Sequence, residues 1–376
     1  MAVAYHSPGV YREDVFLRPA SVLPTGVPGF VGLGTVAGQG ITLPVVLHRQ
    51  EEFAAALLSP AEGFLADAVA GFFANGGSRC YVAVADPAAG DRPGALRAAL
   101  ATLAPLLDVD LVAVPDAMLL ADAAEQYALQ RDVLAHCHAQ GDRLAILDSR
   151  RGSSLDGVLE QRRAIGAGAA EPVSGALYYP WLRTAGDRWL PPCGHVAGIF
   201  ARSDARVGVF KAPANEEIFD ALDLETVIDN GQQDRLNPEG INCLRAFPGR
   251  GIRVWGARTL SRDPSWRYVS GRRFFLTIGR WIDRNMTWAA FEANEPRLWL
   301  RIRRELDTYL TGLWRAGALQ GATPAEGFYV KCDIETNPPE NRLAGQVVTE
   351  IGLAITAPAE FVVVRIIHRA GAAVAA

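Results

Sequence analysis

Both ends of this chain read as β-strands in search of a sheet. At the C-terminus Phe361, Val362, Val363, Val364, Ile366 and Ile367 are interrupted only by Arg365. Both alternating faces are therefore apolar, the pattern of a strand covered on two sides. At the N-terminus Ser7-Pro-Gly-Val10-Tyr11 continues through Val15 to Leu17, between Pro8 and Pro19. Prolines so placed give an extended arm, not a helix. A terminal apolar strand ordinarily pairs inside its own domain. The other outcome is addition to the sheet of a neighbouring copy, where backbone hydrogen bonds give affinity and alternate side-chain pockets set the register. In that case Val10, Tyr11, Val15 and the six apolar residues between Phe361 and Ile367 are the contacts between subunits.

The 376 residues, 49% of them apolar, suffice for two or more cores of about 100–200 residues each. No basic segment followed by an apolar one opens the chain, and no apolar run approaches the roughly 20 residues of a membrane helix. Cytoplasmic synthesis and assembly without membrane insertion is the expectation. The five cysteines (Cys80, Cys137, Cys193, Cys243 and Cys332) are widely spaced and odd in number, which argues for buried thiols over disulfides or zinc.

Strand-like segments at residues 27–36, 43–48, 80–85, 111–114, 144–147 and 176–179 alternate with helical ones at 51–58, 64–75, 127–138 and 159–166. This rhythm predicts an α/β fold with a mainly parallel sheet and helices on its faces. Gly and Pro cluster at residues 86–94 and 186–198, which read as loops. Near residue 259 the composition turns rich in Arg and Trp. The expected division is an N-terminal extended arm (1–25), an N-terminal α/β segment (26–95), an α/β domain (96–258) and an α+β C-terminal domain ending in the terminal strand (259–376).

Charge is unevenly spread. Between Leu244 and Arg315 there are 15 Arg against 6 Asp or Glu, a local +9, so the overall −4 leaves −13 for the remainder. Unlike surfaces favour head-to-tail contacts, which build open helices or rings. The clearest helix runs from Glu295 to Ala316. Leu298, Ile302, Leu306, Tyr309 and Leu313 share one arc, while Arg297, Arg301, Arg304 and Arg315 lie opposite. Such a face is either ordinary solvated surface or a docking face for an acidic partner.

Several enzyme-like patterns fail on context. Gly32-Leu-Gly34-Thr-Val-Ala37 fits G-x-G-x-x-A, with Glu51 and Glu52 near the position of a ribose acid. A phosphate site needs a helix N-terminus directly after the glycines, whereas Gly38-Gln-Gly40-Ile-Thr-Leu-Pro44 continues as turn and strand. His136, Cys137 and His138 point apart on a helix. Cys193 and His195 sit in a Pro-rich stretch without further ligands. Asp333 and Glu335 share a strand face but precede the Thr336-Asn-Pro-Pro339 turn. No G-x-S-x-G elbow occurs. Neither a catalytic residue nor a metal or cofactor is expected. Trp255, Trp266, Tyr268, Phe274, Phe275 and Trp281 among arginines have the make-up of a single-strand nucleic-acid surface. Their apolar neighbours and a pI near 5.9 favour packing and no nucleic-acid partner.

Several segments together resemble the contractile-tail sheath proteins of phages, R-type pyocins and related injection systems. At the start these are Ser7 to Tyr11 and Val22-Leu-Pro-Thr25-Gly-Val-Pro-Gly-Phe30-Val-Gly32. Further on they are Val254-Trp-Gly-Ala-Arg258-Thr-Leu and Tyr268-Val-Ser-Gly-Arg-Arg273. Near the end they are Gly327-Phe-Tyr-Val330-Lys-Cys-Asp333, Glu335-Thr-Asn-Pro-Pro339, Gly345-Gln-Val-Val-Thr-Glu350-Ile-Gly352 and Pro358-Ala-Glu-Phe-Val362. The likeness is strong over about residues 5–34 and 200–368 and weak between. It implies a non-enzymatic subunit in six-membered rings stacked helically around an inner tube, with baseplate and terminator or cap proteins as further partners. It also implies a subtilisin-like fold for 96–258, strand exchange through both arms, and Arg297, Arg301, Arg304 and Arg315 facing the tube. Contraction would drive the tube through a target envelope, in a phage tail or a tail-like particle that is released or envelope-anchored. The reading kept beside it is an α/β hydrolase-like or nucleotide-binding enzyme.

Overall fold

Apolar runs bounded by Gly, Pro and Asp pair here into one large sheet, described in a computed structural model at residues 23–37, 43–167, 174–358 and 360. Both terminal arms, including Val10, Tyr11, Val15 and Phe361 to Ile367, lie outside the described residues. In chain order the strands are β1 (Pro28–Leu33), β2 (Val45–Leu47), β3 (Cys80–Ala85), β4 (Leu111–Ala113), β5 (Leu144–Asp148), β6 (Gly175–Tyr179), β7 (Glu216–Glu217), β8 (Ile241–Phe247) and β9 (Gly251–Trp255). Their spatial order is β7-β9-β8-β6-β5-β4-β1-β3-β2. The central run from β8 to β3 is parallel, and antiparallel pairing occurs only towards the two edges. The expected α/β fold and mainly parallel sheet are present. The segment 26–95 supplies β1 to β3, two of them interior strands of this same sheet.

Every residue of β1, β5 and β6 is buried, as required of strands covered on both faces. Alternate side chains divide between two cores. Phe30, Leu144, Ile146 and Tyr178 meet helices α1 (Leu65–Ala74) and, later in the chain, α5 (Cys193–Arg206). Val31, Ala145, Leu147 and Leu177 meet α2 (Arg92–Ala101), α3 (Ala123–Gln140) and α4 (Leu155–Gly166). Local signals set the helix ends: the Asp91, Asp122 and Ser154 side chains cap α2, α3 and α4, and Gly141 at φ 68° ends α3.

Three expectations need correction. Residues 86–94 are not all loop, because Asp91 and Pro93 start α2. The helix expected over 51–58 stops at Ala56, and Leu57–Leu58 pairs with Thr35–Val36. The Pro-rich stretch 186–198 contains the first turns of α5, so Cys193 and His195 are helical.

Beyond the sheet, α6 (Val269–Asn285) and α7 (Pro296–Arg315) precede a two-stranded antiparallel sheet of β10 (Phe328–Lys331) and β11 (Glu350–Leu353). The two helices pack through Trp281, stacked on Tyr309 at 3.9 Å between ring centroids. Phe274, Ile278, Leu298, Ile302, Leu306 and Leu310 are buried around them.

Candidate functional site

An open α/β sheet keeps its ligands at the carboxyl ends of its strands, where the strand order reverses. Here the chain crosses from β3 over β1 to β4, which puts the reversal between β1 and β4. That place is filled by protein. Asp116, wholly buried, accepts hydrogen bonds from the backbone N–H of Leu33 at 2.6 Å and of Phe64 at 2.5 Å. It thus answers the N-terminus of α1, where a phosphate would sit. Burial pushes its carboxyl up to about 6, against the pull of those N–H donors. A Cβ on Gly32 would lie 2.6 Å from Asp116 Oδ2 and 2.7 Å from Leu65 Cβ. The glycine therefore admits Asp116 and α1, not a nucleotide.

Two strands along from β1, at the end of β5, Asp148 accepts the Cys193 backbone N–H at 2.9 Å, and burial pushes its carboxyl up to about 7. Burial, then Asp148 itself, raises the Cys193 thiol far above its ordinary range. A protonated thiol facing a carboxyl is neither nucleophile nor metal ligand. His195 packs against Gly71, and burial holds its imidazole down to about 4. Among the described residues neither of its ring nitrogens is hydrogen-bonded, and none of the His, Cys, Asp and Glu clusters could hold a metal. Cys137 lies in the core, its thiol pushed up to about 12 by burial, while His136 contacts Arg143. Asp333 accepts from the N–H of Glu335 and Thr336 at 2.9 and 3.2 Å, closing a turn, and Glu335 pairs with Lys331. The aromatic and arginine cluster is packing: Trp255 lies on Phe247, Trp266 on Phe275, and Arg272 over Trp266.

The arginines of α6 form a clasp between the two parts of the chain. Arg273, its side chain 2% exposed, donates to Asp204 Oδ1 at 2.9 Å and Oδ2 at 2.6 Å and to Asp110 Oδ2 at 2.9 Å. Burial opposes its charge, but Asp204 and Asp110 outweigh burial and hold the guanidinium protonated. Asp110 also accepts from Gly26 N–H at 3.0 Å and Val27 N–H at 2.6 Å. Further along α6, Arg280 donates to the carbonyls of Leu107 and Asp108, and Arg284 pairs with Asp108. The start of β1, the approach to β4, α5 and α6 thus share one buried polar cluster. Part of the arginine excess expected to attract other copies is paired inside the chain. Asp110 and Asp204 were not singled out in the sequence. They stand 163 and 69 residues from Arg273, and no local pattern announces them.

Helix α7 matches its expected span. Arg297, Arg301, Arg304 and Arg315 are brought together on one exposed face, opposite buried Leu298, Ile302 and Leu306. Among the described residues none of the four has an ion pair, and Arg301 stacks on Trp288 at 3.6 Å. Strands β10 and β11 pair only with each other among the described residues, so neither has a second strand neighbour there, and just beyond β11 Ile355 bridges Leu319. Arg258 holds Glu360, the last described residue, by two Nε hydrogen bonds of 2.9 and 3.2 Å and one from Nη2.

Known proteins share this architecture. The family model for the phage tail sheath protein central domain matches residues 93–260, and that for the phage tail sheath C-terminal domain matches residues 261–369. The chain belongs to the phage tail sheath family. A sheath protein of this kind is structural, and its relatives are tail sheath proteins, not enzymes. Among solved structures, a chain of the anti-feeding prophage (AFP) baseplate is 28% identical at a TM-score of 0.79, covering 97% of this chain and all of that one. A chain of the AFP helical sheath in its contracted state is 29% identical at a TM-score of 0.76, covering 96% and 99%. The tail sheath protein of Enterobacteria phage T4 is 28% identical over 157 residues, 41% of this chain and 23% of that protein. This sheath protein thus spans under a quarter of that relative's length. Among the described residues no helix is long and apolar enough to cross a membrane.

Proposed function

We propose that this chain is the sheath subunit of a contractile injection particle. It polymerises as a helical stack of six-subunit rings around an inner tube, seats on a baseplate, ends at a cap or terminator, and contracts to drive the tube through a target envelope. The likeness to chains of the AFP baseplate and contracted helical sheath over nearly their full length supports this reading. On it, residues 1–25 and the strand Phe361 to Ile367 are arms added to the sheets of neighbouring copies. The subtilisin-like domain occupies 96–258 and the C-terminal domain 259–376. The arginine face of α7 meets the tube.

The observation that carries strand exchange is the β10–β11 pair, a two-stranded sheet to which no third strand is added among the described residues. The pair packs on the α6–α7 core through Phe328, Val330, Ile351 and Leu353, and an arriving strand would extend it by backbone hydrogen bonds at an edge. No nucleotide is consumed. The extended lattice is metastable, and contraction releases contact and charge complementarity between copies. Ending the chain after Pro358 is the test. The truncated protein stays folded by circular dichroism and remains as subunits by light scattering, whereas normal helical sheaths from it would overturn the linkage.

A further inference from the structure

Phe291, in the turn joining α6 to α7, is wholly exposed at 109% of its reference area and has φ 68°. A bulky side chain seldom adopts the left-handed region. The turn imposes it through a hydrogen-bonded brace. Ala290 N–H donates to Thr287 O, Glu292 N–H to Ala289 O and Glu295 N–H to Ala293 O. Asn294 donates to Gln346 O at 2.9 Å and accepts from Trp299 Nε1 at 2.8 Å. The chain thus holds a phenylalanine in a strained conformation with its ring in water, where it packs on nothing. Strain without local return marks a site that works with something else.

Its surroundings indicate the partner's chemistry. Trp288 of the same turn lies under Arg301, so the turn adjoins the arginine face of α7. Leu300, 43% exposed, sits at the margin of that face. Glu292 and Glu295 flank Phe291, yet the four exposed arginines have no carboxylate partner among the described residues. An apolar knob beside such a stripe fits a protein surface with carboxylates around an apolar recess. We propose that Phe291 is the apolar anchor of that docking face. The inference rests on the reading above, in which the surface is the inner tube.

The test is co-sedimentation of the full chain with tubes isolated from the same particle and stripped of sheath. Phe291→Asn suits the turn, because Asn accepts the left-handed region. The variant unfolds at or above the wild-type temperature, polymerises normally, and binds tubes roughly tenfold to a hundredfold more weakly. A lowered unfolding temperature overturns the strain argument. Wild-type tube binding by Phe291→Asn, with binding abolished by Arg301→Glu/Arg304→Glu, overturns the anchor and leaves the tube-facing helix standing. Unaltered binding by the double arginine variant overturns that helix reading and the anchor with it. Lost self-assembly with intact tube binding in Phe291→Asn assigns the ring to a contact between copies and also overturns the proposal.

Discussion

Replacing Arg273 by Met removes three charged hydrogen bonds of 2.6 to 2.9 Å and keeps most of the apolar stem. The two carboxylates left behind are not equivalent. Asp110 retains the N–H donors of Gly26 and Val27 and has Arg280 at 3.9 Å. Asp204, with 2% side-chain exposure, loses its ion-pair partner. Breaking a buried pair in this way costs about 3–5 kcal/mol, a large part of the roughly 5–15 kcal/mol that stabilises a domain. In thermal unfolding the loss is a drop on the order of 10 °C. Urea titration of the full chain reads the same quantity. Because Arg273 joins α6 to the large sheet, the variant also separates unfolding of the C-terminal part from that of the sheet, and one transition becomes two. The double variant Arg273→Met/Asp204→Asn recovers much of the loss, with a coupling of about 2 kcal/mol or more. If Arg273→Met costs less than about 1 kcal/mol, or if the two single losses simply add, the clasp does not hold the chain together as argued.

Two further outcomes follow from buried carboxyls. Asp148 titrates near 7 in the folded chain against an ordinary 3.8, so the unfolded chain gives up its proton first and stability falls as pH rises from about 4 to about 7. Asp148→Asn keeps an acceptor for the Cys193 N–H and cannot ionise. It stabilises by about 2–4 kcal/mol at pH 8 and little at pH 4, and urea titrations giving equal gains at both would contradict the assignment. Glu360→Gln leaves Arg258 without its charged partner at a site where the two side chains are only 12% and 15% exposed. A stability loss of about 1.5–3 kcal/mol and a several-fold higher critical concentration for assembly are expected, measured by denaturation and sedimentation. Unchanged assembly would separate this clamp from the arm that follows it.

What could be read in the sequence, and what could not, divides by the range of the interaction. Strands β1 to β6 and the span of α7 are legible because period-two and period-3.6 patterns record burial within a few residues, whereas β7, β8 and β9 are not among the segments that read as strands. Leu298, Ile302 and Leu306 sit on the buried side of α7, as their spacing requires. The start of α5 is illegible for the opposite reason. Gly194 and Gly198 look like loop residues, yet a Cβ at either would come within 2.2 Å of Ala68 O or 2.4 Å of Phe72 O. They let α5 cross close over α1, a fact held in another helix. Charge is legible only as a sum. Counting cannot separate Arg273, held between two buried aspartates, from Arg304, exposed on α7.

That separation bears on mechanism. The clasp binds Gly26 and Val27 through Asp110, and Arg258 binds Glu360, so the described chain is tied to its body at both ends. A contact that ties backbone to a rigid core resists the small torsional changes from which a hinge is made. If copies of this sheath protein shift against one another on contraction, the change of angle is therefore not taken up at Gly26, Val27, Arg258 or Glu360. The polar clasp and the Arg258 clamp would then move with the sheet as one piece. A double variant such as Arg273→Met/Asp204→Asn, which softens the clasp and leaves only Asp110, still held by the Gly26 and Val27 N–H groups and near Arg280, should accordingly alter how far subunits transmit force more than whether they assemble.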